Sequence, residues 1–327
     1  MRIAAAADTF LDRTVVAGYT APGLALRRRA PGWSDELPSM AGRTVAITGP
    51  TSGIGEAAAA RFAALGATVL LLVRNREKGA TTRERIVAER VRHGGEIPDV
   101  RLVTCDIADL TSVRACAEQL RKSGEPLHVL VHNAGAMPPE RKTSPDGIEL
   151  SWATNVVGPF LLTSLLQERL VQSAPARVIT VSSGGMFTQR LDVDDPEGEH
   201  REYRPASAYA RAKRAQVVLN ELWSERLRGL GVTFHAMHPG WVDTPGVQDS
   251  LPGFHKLTGK LLRSPDEGAD TIVWLGAADA PAGRTGLFWH DRRARPTHRV
   301  PWTREDPADR QRLWALCREQ AGLPASA

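Results

Sequence analysis

Arg43-Thr-Val-Ala-Ile-Thr48 runs straight into Gly49-Pro50-Thr51-Ser52-Gly53-Ile54-Gly55, and an alanine-rich segment, Glu56 to Leu65, follows. The apolar run suits a buried strand and the alanine-rich segment suits a helix. Glycines at a strand-to-helix junction let the backbone come close to a pyrophosphate, which then rests at the positive end of the helix dipole. A turn that the glycines merely tighten is the alternative reading. The spacing is Thr-Gly-x-x-x-Gly-x-Gly, not Gly-x-Gly-x-x-Gly.

Outward from that turn, apolar β-branched runs alternate with longer helical stretches. Strands are expected near 44–48, 68–73, 100–104, 127–132, 176–181, 231–237 and 286–289, and helices over 54–65, 77–92, 111–122, 147–172, 207–228, 265–278 and 306–320. This order predicts one α/β domain, a Rossmann-type doubly wound parallel sheet of about seven strands with helices on both faces. Ligands of such a sheet lie at the carboxyl ends of its strands. Residues 1–40 form an N-terminal extension. Residues 41–327 form the nucleotide-binding catalytic domain, ending in a helix with Leu313, Trp314 and Leu316. Pro296 to Pro307 is the most loop-like stretch, and there is no internal repeat.

The 327 residues are enough for a full core, and 42% hydrophobic with 24% charged residues describes a globular protein. Its net charge of +5, from 42 basic and 37 acidic residues, is too small and too dispersed to argue for nucleic acid. Arg27-Arg28-Arg29 and Arg292-Arg293-Ala-Arg295 are local basic clusters, expected on a solvated surface. Cys105, Cys116 and Cys317 have no metal spacing, and an odd set of three fits a reduced, cytoplasmic setting better than a disulfide framework. No apolar run is long enough to span a bilayer, and the N-terminus lacks a signal-peptide layout. Phe10, Leu11, Val15, Val16, Tyr19 and Leu24 with the three arginines form either an arm docked on the protein or a short helix in peripheral membrane contact.

Tyr209-Ala-Arg-Ala-Lys213 puts a phenol and an ammonium four residues apart in a helical stretch. Such residues share a helix face. A phenol ordinarily titrates near ~10, and an adjacent cation is expected to lower that value, which would make Tyr209 a usable general acid/base.

With these features in place, the chain resembles the short-chain dehydrogenase/reductase family from about Gly42 to at least Trp289. The glycine spacing, Asp106, Asn133-Ala134-Gly135, Asn155, Ser182-Ser183, Tyr209 with Lys213, and Pro239-Gly240 follow the family order. Within it the likeness is to the retinol-dehydrogenase-like branch, and inside that branch to the oxidoreductases called dehydrogenase/reductase SDR family member twelve. RVITVSSGGM (177–186), HPGWVDTPGV (238–247), Leu251-Pro-Gly-Phe-His255, Gly268-Ala-Asp-Thr271 and Asp291-Arg292 carry it.

The resemblance implies a catalytic set of Asn155, Ser183, Tyr209 and Lys213. Ser183 would bond the substrate oxygen and Tyr209 would pass it a proton. Lys213 would hold the nicotinamide ribose, and Asn155 would anchor a proton-relaying water. It further implies a cofactor site of Gly49, Ser52, Gly53, Ile54, Gly55, Arg74, Asp106, Ile107, Asn133, Ala134, Gly135, Tyr209, Lys213, Pro239, Gly240, Val242 and Thr244. Asp106 is expected near the adenine and Asn133 in a structural role. No metal is implied. His132 replaces the first Asn of the family's frequent Asn-Asn-Ala-Gly, and it reads, like His238, as a core histidine and not a catalyst.

The second strand ends at Val73-Arg74, without the carboxylate that binds a ribose 2′-hydroxyl and with a planar cation suited to a 2′-phosphate. NADP is therefore expected, with NAD possible. Between Ser183 and Tyr209 lie 25 residues, among them the polar stretch Asp192 to Arg204, expected at a pocket edge with Met186 and Phe187. Pro245 to Arg263, with Leu251, Phe254, Leu257, Leu261 and Leu262, is expected to form a lid over a lipophilic substrate, or else an ordinary packed helix. The leading expectation is an NADP-dependent alcohol/carbonyl oxidoreductase, a homodimer or homotetramer by analogy. A non-catalytic NADP redox sensor, or an epimerase or dehydratase, is the alternative.

Overall fold

The structure is a computed structural model that describes residues 8, 9, 11, 12, 14–250, 253, 256 and 258–324. The N-terminal segment carries the short helices α1 (Val15–Tyr19) and α2 (Ala21–Arg28). Then β1 (Thr44–Thr48) passes through the glycine turn into α3 (Gly53–Ala64), followed by β2 (Thr68–Val73), α4 (Arg76–Arg92), β3 (Val100–Thr104), α5 (Leu110–Lys122) and β4 (Val129–His132). Next are α6 (Leu150–Trp152), a π turn (Ala153–Val157), α7 (Gly158–Gln172), β5 (Ala176–Val181), α8 (Pro205–Arg226) and β6 (Val232–His238). The chain closes with α9 (Pro245–Ser250), α10 (Pro265–Ala277), β7 (Leu287–His290), β8 (Arg293–Arg295) and α11 (Pro307–Gln320).

The strands form one sheet in the order β3-β2-β1-β4-β5-β6-β7-β8, parallel except for the last pair. The order reverses between β1 and β4, so their carboxyl ends open the crevice that doubly wound sheets use for ligands. β8 was not expected, because Arg293-Ala-Arg295 has no apolar run to announce a strand. It is folded back by a two-residue turn in which Asp291 and Arg292 have φ of 51° and 58°, the left-handed pair that tight hairpins favour.

Both sheet faces are sealed by apolar side chains. On one face α5, α7, α8 and α11 pack around Trp152, Phe160, Leu166, Trp223 and Leu313, all nearly inaccessible. On the other, α3 and α10 close over Val45, Ile47, Phe62, Ile272 and Trp289. Truncating one such residue, Leu166→Ala for instance, costs about 2–5 kcal/mol.

Two expectations are corrected here. The basic clusters are solvated only in part: Arg29 is exposed, but Arg27 and Arg292 are buried, and Asp8, Asp270 and Asp291 neutralise them. The stretch 192–204, expected at a pocket edge, is tied to the body at Glu149 and Gln320. Tyr203 bonds Glu149 at 3.0 Å, and Glu197 takes bonds from the Glu149 N–H and the Gln320 amide. Met186 is wholly buried beside Val217, Ala236 and Phe288, so it belongs to the core.

In the N-terminal segment Leu11, Tyr19 and Leu24 are turned into the protein, as a docked arm requires. Phe10 lies outside the described residues, as do Leu251, Phe254 and Leu257 of the expected lid. Of that segment's other apolar residues, Leu261 is exposed and Leu262 buried. Among the described residues no helix is long and apolar enough to cross a membrane.

Candidate active site

The glycine turn is shaped by close approach. Gly49 and Gly53 have φ of 62° and 55°, where only glycine is unstrained. A Cβ on Gly55 would fall 2.2 Å from the Gly49 carbonyl oxygen. Ser52 precedes α3 but makes no capping bond to it, so the N–H groups of the first helical turn have no side-chain cap. A dinucleotide phosphate fits this arrangement of small residues and free donors.

Thr48 and Asn133 hold the turn in place. The Asn133 amide donates to the Thr48 and Gly49 carbonyls, both at 3.0 Å, while Thr48 Oγ1 accepts the Asn133 and Ala134 N–H groups, both at 3.1 Å. Thr48 opens the Thr-Gly-x-x-x-Gly-x-Gly motif, yet it was not among the expected site residues. Asp106 is half-buried at the end of β3, with one carboxylate oxygen accepting the Ala108 N–H. Arg74 is exposed where β2 meets α4, and among the described residues no ion pair ties it down. Ile107 is buried, and Gly158 lets α7 come against its carbonyl.

The four catalytic candidates come together beyond β4 and β5. Ser183, just after β5, stands near enough to the Tyr209 phenol, from the first turns of α8, to lower it, and its own Oγ accepts the Gly185 N–H at 3.2 Å. Lys213 lies one helical turn on, its Nζ 5.1 Å from the centre of the Tyr209 ring and 2.8 Å from the Val181 carbonyl, to which it donates. A Cβ on Gly135 would stand 3.1 Å from Asn155 Oδ1 and 3.7 Å from Lys213 Nζ, so both atoms converge on that glycine. Asn155 sits within the π turn, a local widening of the helix often found at functional sites. Its amide donates to Ala136 and Ser151, its Oδ1 has no protein partner, and its carbonyl accepts Gln216 Nε2 at 2.7 Å. Gln216 had not been singled out.

The electrostatics differ from the expectation that Lys213 would lower the tyrosine. Burial pushes the Tyr209 phenol up to about 12, against a smaller lowering by its bond to Ser183. Burial also brings the Lys213 amine down to about 7, because no carboxylate accompanies it. Desolvation disfavours the charged form of both groups, and the lysine spends its bond on a backbone carbonyl.

His132 is a neutral core residue, lowered to about 3 by burial and paired with Thr163 at 2.7 Å. His238 is similarly lowered to about 3, first by burial, and accepts the Gly184 N–H at 3.1 Å. Pro239 and Gly240 follow it. Val242 is buried and bridges to Arg263, and a Cβ on Gly53 would lie 3.0 Å from Thr244. The turn after β6 thus stands over the glycine turn. Among the described residues no group of acids, histidines and cysteines is placed to hold a metal.

A doubly wound parallel sheet with a glycine turn, and a tyrosine between a serine and a buried lysine, is the arrangement of a Rossmann-type oxidoreductase. The chain belongs to the short-chain dehydrogenase family, whose profile matches residues 43–253. It is 40% identical over 283 residues to dehydrogenase/reductase SDR family member 12 of Bos taurus, covering 86% of each chain. It is 32% identical to retinol dehydrogenase 13 of Homo sapiens, over 88% of this chain and 87% of that one. A solved structure from Beutenbergia cavernae, named as an NAD(P)-dependent gluconate 5-dehydrogenase and holding NADP at low occupancy, superposes with a TM-score of 0.63 at 25% identity, over 77% of this chain and 96% of that one.

Proposed function

We propose that this short-chain dehydrogenase uses NADP to interconvert an alcohol and a carbonyl on a lipophilic substrate, with Ser183, Tyr209 and Lys213 as its working groups. The observation that carries the reading is the convergence at the carboxyl ends of β4 and β5, where Lys213 Nζ lies 5.1 Å from the Tyr209 ring, Asn155 Oδ1 and Lys213 Nζ both approach Gly135, and Ser183 is near enough to lower the phenol. NADP is supported by Arg74, an exposed guanidinium where a carboxylate would favour NAD. A lipophilic substrate is supported by likeness to a retinol dehydrogenase.

The residues present fit a dinucleotide: Gly49, Ser52, Gly53 and Gly55 for the pyrophosphate, Arg74 for a ribose phosphate, Asp106 and Ile107 toward the adenine, and the Pro239–Thr244 turn toward the nicotinamide. When bound, the nicotinamide supplies or accepts the hydride. In reduction the Tyr209 hydroxyl gives its proton to the substrate oxygen, and in oxidation the phenolate takes it back. Ser183 donates a hydrogen bond to the same oxygen as charge develops there. Lys213, able to change protonation near neutrality, replenishes the proton with Asn155 beside it.

The test is a panel of lipophilic aldehydes, ketones and alcohols followed by nicotinamide absorbance with NADP(H) and NAD(H). Turnover that needs NADP(H) and disappears in Tyr209→Phe is the expected result. Activity confined to small polar sugars, or undiminished in Tyr209→Phe, would refute the reading.

A further inference from the structure

The arm formed by α1 and α2 reaches the active-site serine. Tyr19, at the end of α1, is buried with its ring edge-on to His238, centroids 4.3 Å apart, and it also meets His290 at 5.0 Å. Its Cε2 lies only 2.7 Å from where a Cβ on Gly184 would stand. Gly184 follows Ser183 directly, and its N–H is held by His238, the ring that Tyr19 abuts. A second contact reaches the same turn: Arg299 bonds the Asp12 carboxylate at 3.2 Å and the Tyr19 hydroxyl at 3.4 Å, while its guanidinium lies 4.5 Å from the centre of the Phe187 ring.

The arm is fastened from below. Arg263 donates to the Gly18 and Thr20 carbonyls at 3.0 and 3.3 Å, to the Pro239 carbonyl at 3.1 Å, and to both oxygens of Asp291. Arg27 joins Gly18 and Asp291 as well. Burial alone would raise the Asp291 carboxyl, but His290, Arg263 and Arg27 outweigh it and hold the group well below the usual carboxylate range. Trp241 completes the tie by donating its N–H to the Tyr19 carbonyl at 2.8 Å. Breaking one partner of such a buried pair leaves an uncompensated charge, so the arm is held as a fixed part of the site.

We propose that Tyr19 is a positioning residue for Ser183: its ring fills the space behind Gly184 and so sets the turn that aims the serine hydroxyl at substrate and at Tyr209. The inference rests on the oxidoreductase reading above. It also explains the glycine at 184, which Tyr19 leaves no room to replace.

The test is a double-mutant cycle between positions 19 and 184, read with a substrate found by the panel. Tyr19→Ala and Gly184→Ala should each lower kcat about 10-fold to 100-fold, the scale expected when a reacting group is misplaced by ~1 Å. KM and the NADPH dissociation constant should change less than about 3-fold. The double variant should recover most of the kcat, since the new methyl occupies space the ring has vacated, and Tyr19→Phe should restore it by keeping the ring. Hydrogen–deuterium exchange of the 183–188 segment, which needs no turnover, should quicken in Tyr19→Ala and return toward normal in the double variant. If Tyr19→Ala does not fold, Tyr19→Leu takes its place in the cycle. Single losses that simply multiply in the double variant, or an unchanged kcat in Tyr19→Ala with unchanged exchange, would overturn the proposal while leaving the oxidoreductase reading intact. A chain that transfers no hydride to any member of the panel would remove both.

Discussion

Lys213 Nζ lies 5.1 Å from the centre of the Tyr209 ring but gives its hydrogen bond to the Val181 carbonyl, 2.8 Å away. The two side chains share a helix face without bonding to each other. What lowers the phenol is Ser183, and burial works against it. In the proposed reaction the serine therefore has two tasks, steadying the substrate oxygen and easing deprotonation of the tyrosine.

Tyr209→Phe keeps the ring and removes the proton. Hydride transfer should fall by about 10³-fold, within the range general acid–base groups contribute. NADPH binding, followed by quenching of protein fluorescence, should stay within about 2-fold. A kcat close to that of the unaltered chain would show that another group carries the proton.

Ser183→Ala should lower kcat by about 10²-fold, as loss of one donor to a developing oxyanion does. It should also move the ascending limb of the oxidative kcat/KM profile to higher pH, because the lowering that Ser183 exerts on the Tyr209 phenol is gone. A limb that stays in place would separate the titration from Tyr209.

Arg74→Ala should weaken NADP binding by about 10-fold to 100-fold, the worth of a charged hydrogen bond or two. NAD binding should hardly change. Isothermal titration with both cofactors reads this directly, and an equal loss for the two would show that Arg74 does not meet the 2′-phosphate.

Stability should fall on the acid side of neutrality. His132, His235 and His238 are each lowered from 6.5 to about 3, first by burial. In the unfolded chain they take up protons below about pH 6.5, whereas in the folded one they do not. Their contribution is complete above that pH and drains away as the pH drops toward 3. Each histidine removes about 1.4 kcal/mol per pH unit inside that window. Urea midpoints at pH 7, 6, 5 and 4 should show the decline, with a shallower slope in His132→Gln. Identical slopes in the two proteins would refute the assignment.

The strand, glycine turn and helix from Arg43 to Leu65 were legible because one continuous stretch carries both periodicities and the glycines between them. Tyr209 and Lys213 were legible for a similar reason, since a four-residue spacing on a helix fixes a shared face. The sign of their titration was not, because burial depends on what the rest of the chain lays over them. Nor could periodicity show the extra residue that widens the helix at Asn155. Arg27 and Arg292 looked like surface charges because their partners, Asp8, Asp270 and Asp291, are distant in sequence. The contact between Tyr19 and Gly184 joins residues more than half the chain apart, and no local pattern announces it.

The Asp291 carboxylate gathers Arg27 from one end of the chain and Arg263 from the other. Trimming the protein to begin at residue 41, where the nucleotide-binding motif starts, would strand Arg263 and Asp291 with half their ligands and lay bare the rings of His238 and His290. The smallest piece able to cradle a phosphate is thus shorter than the smallest piece able to stand as a finished enzyme.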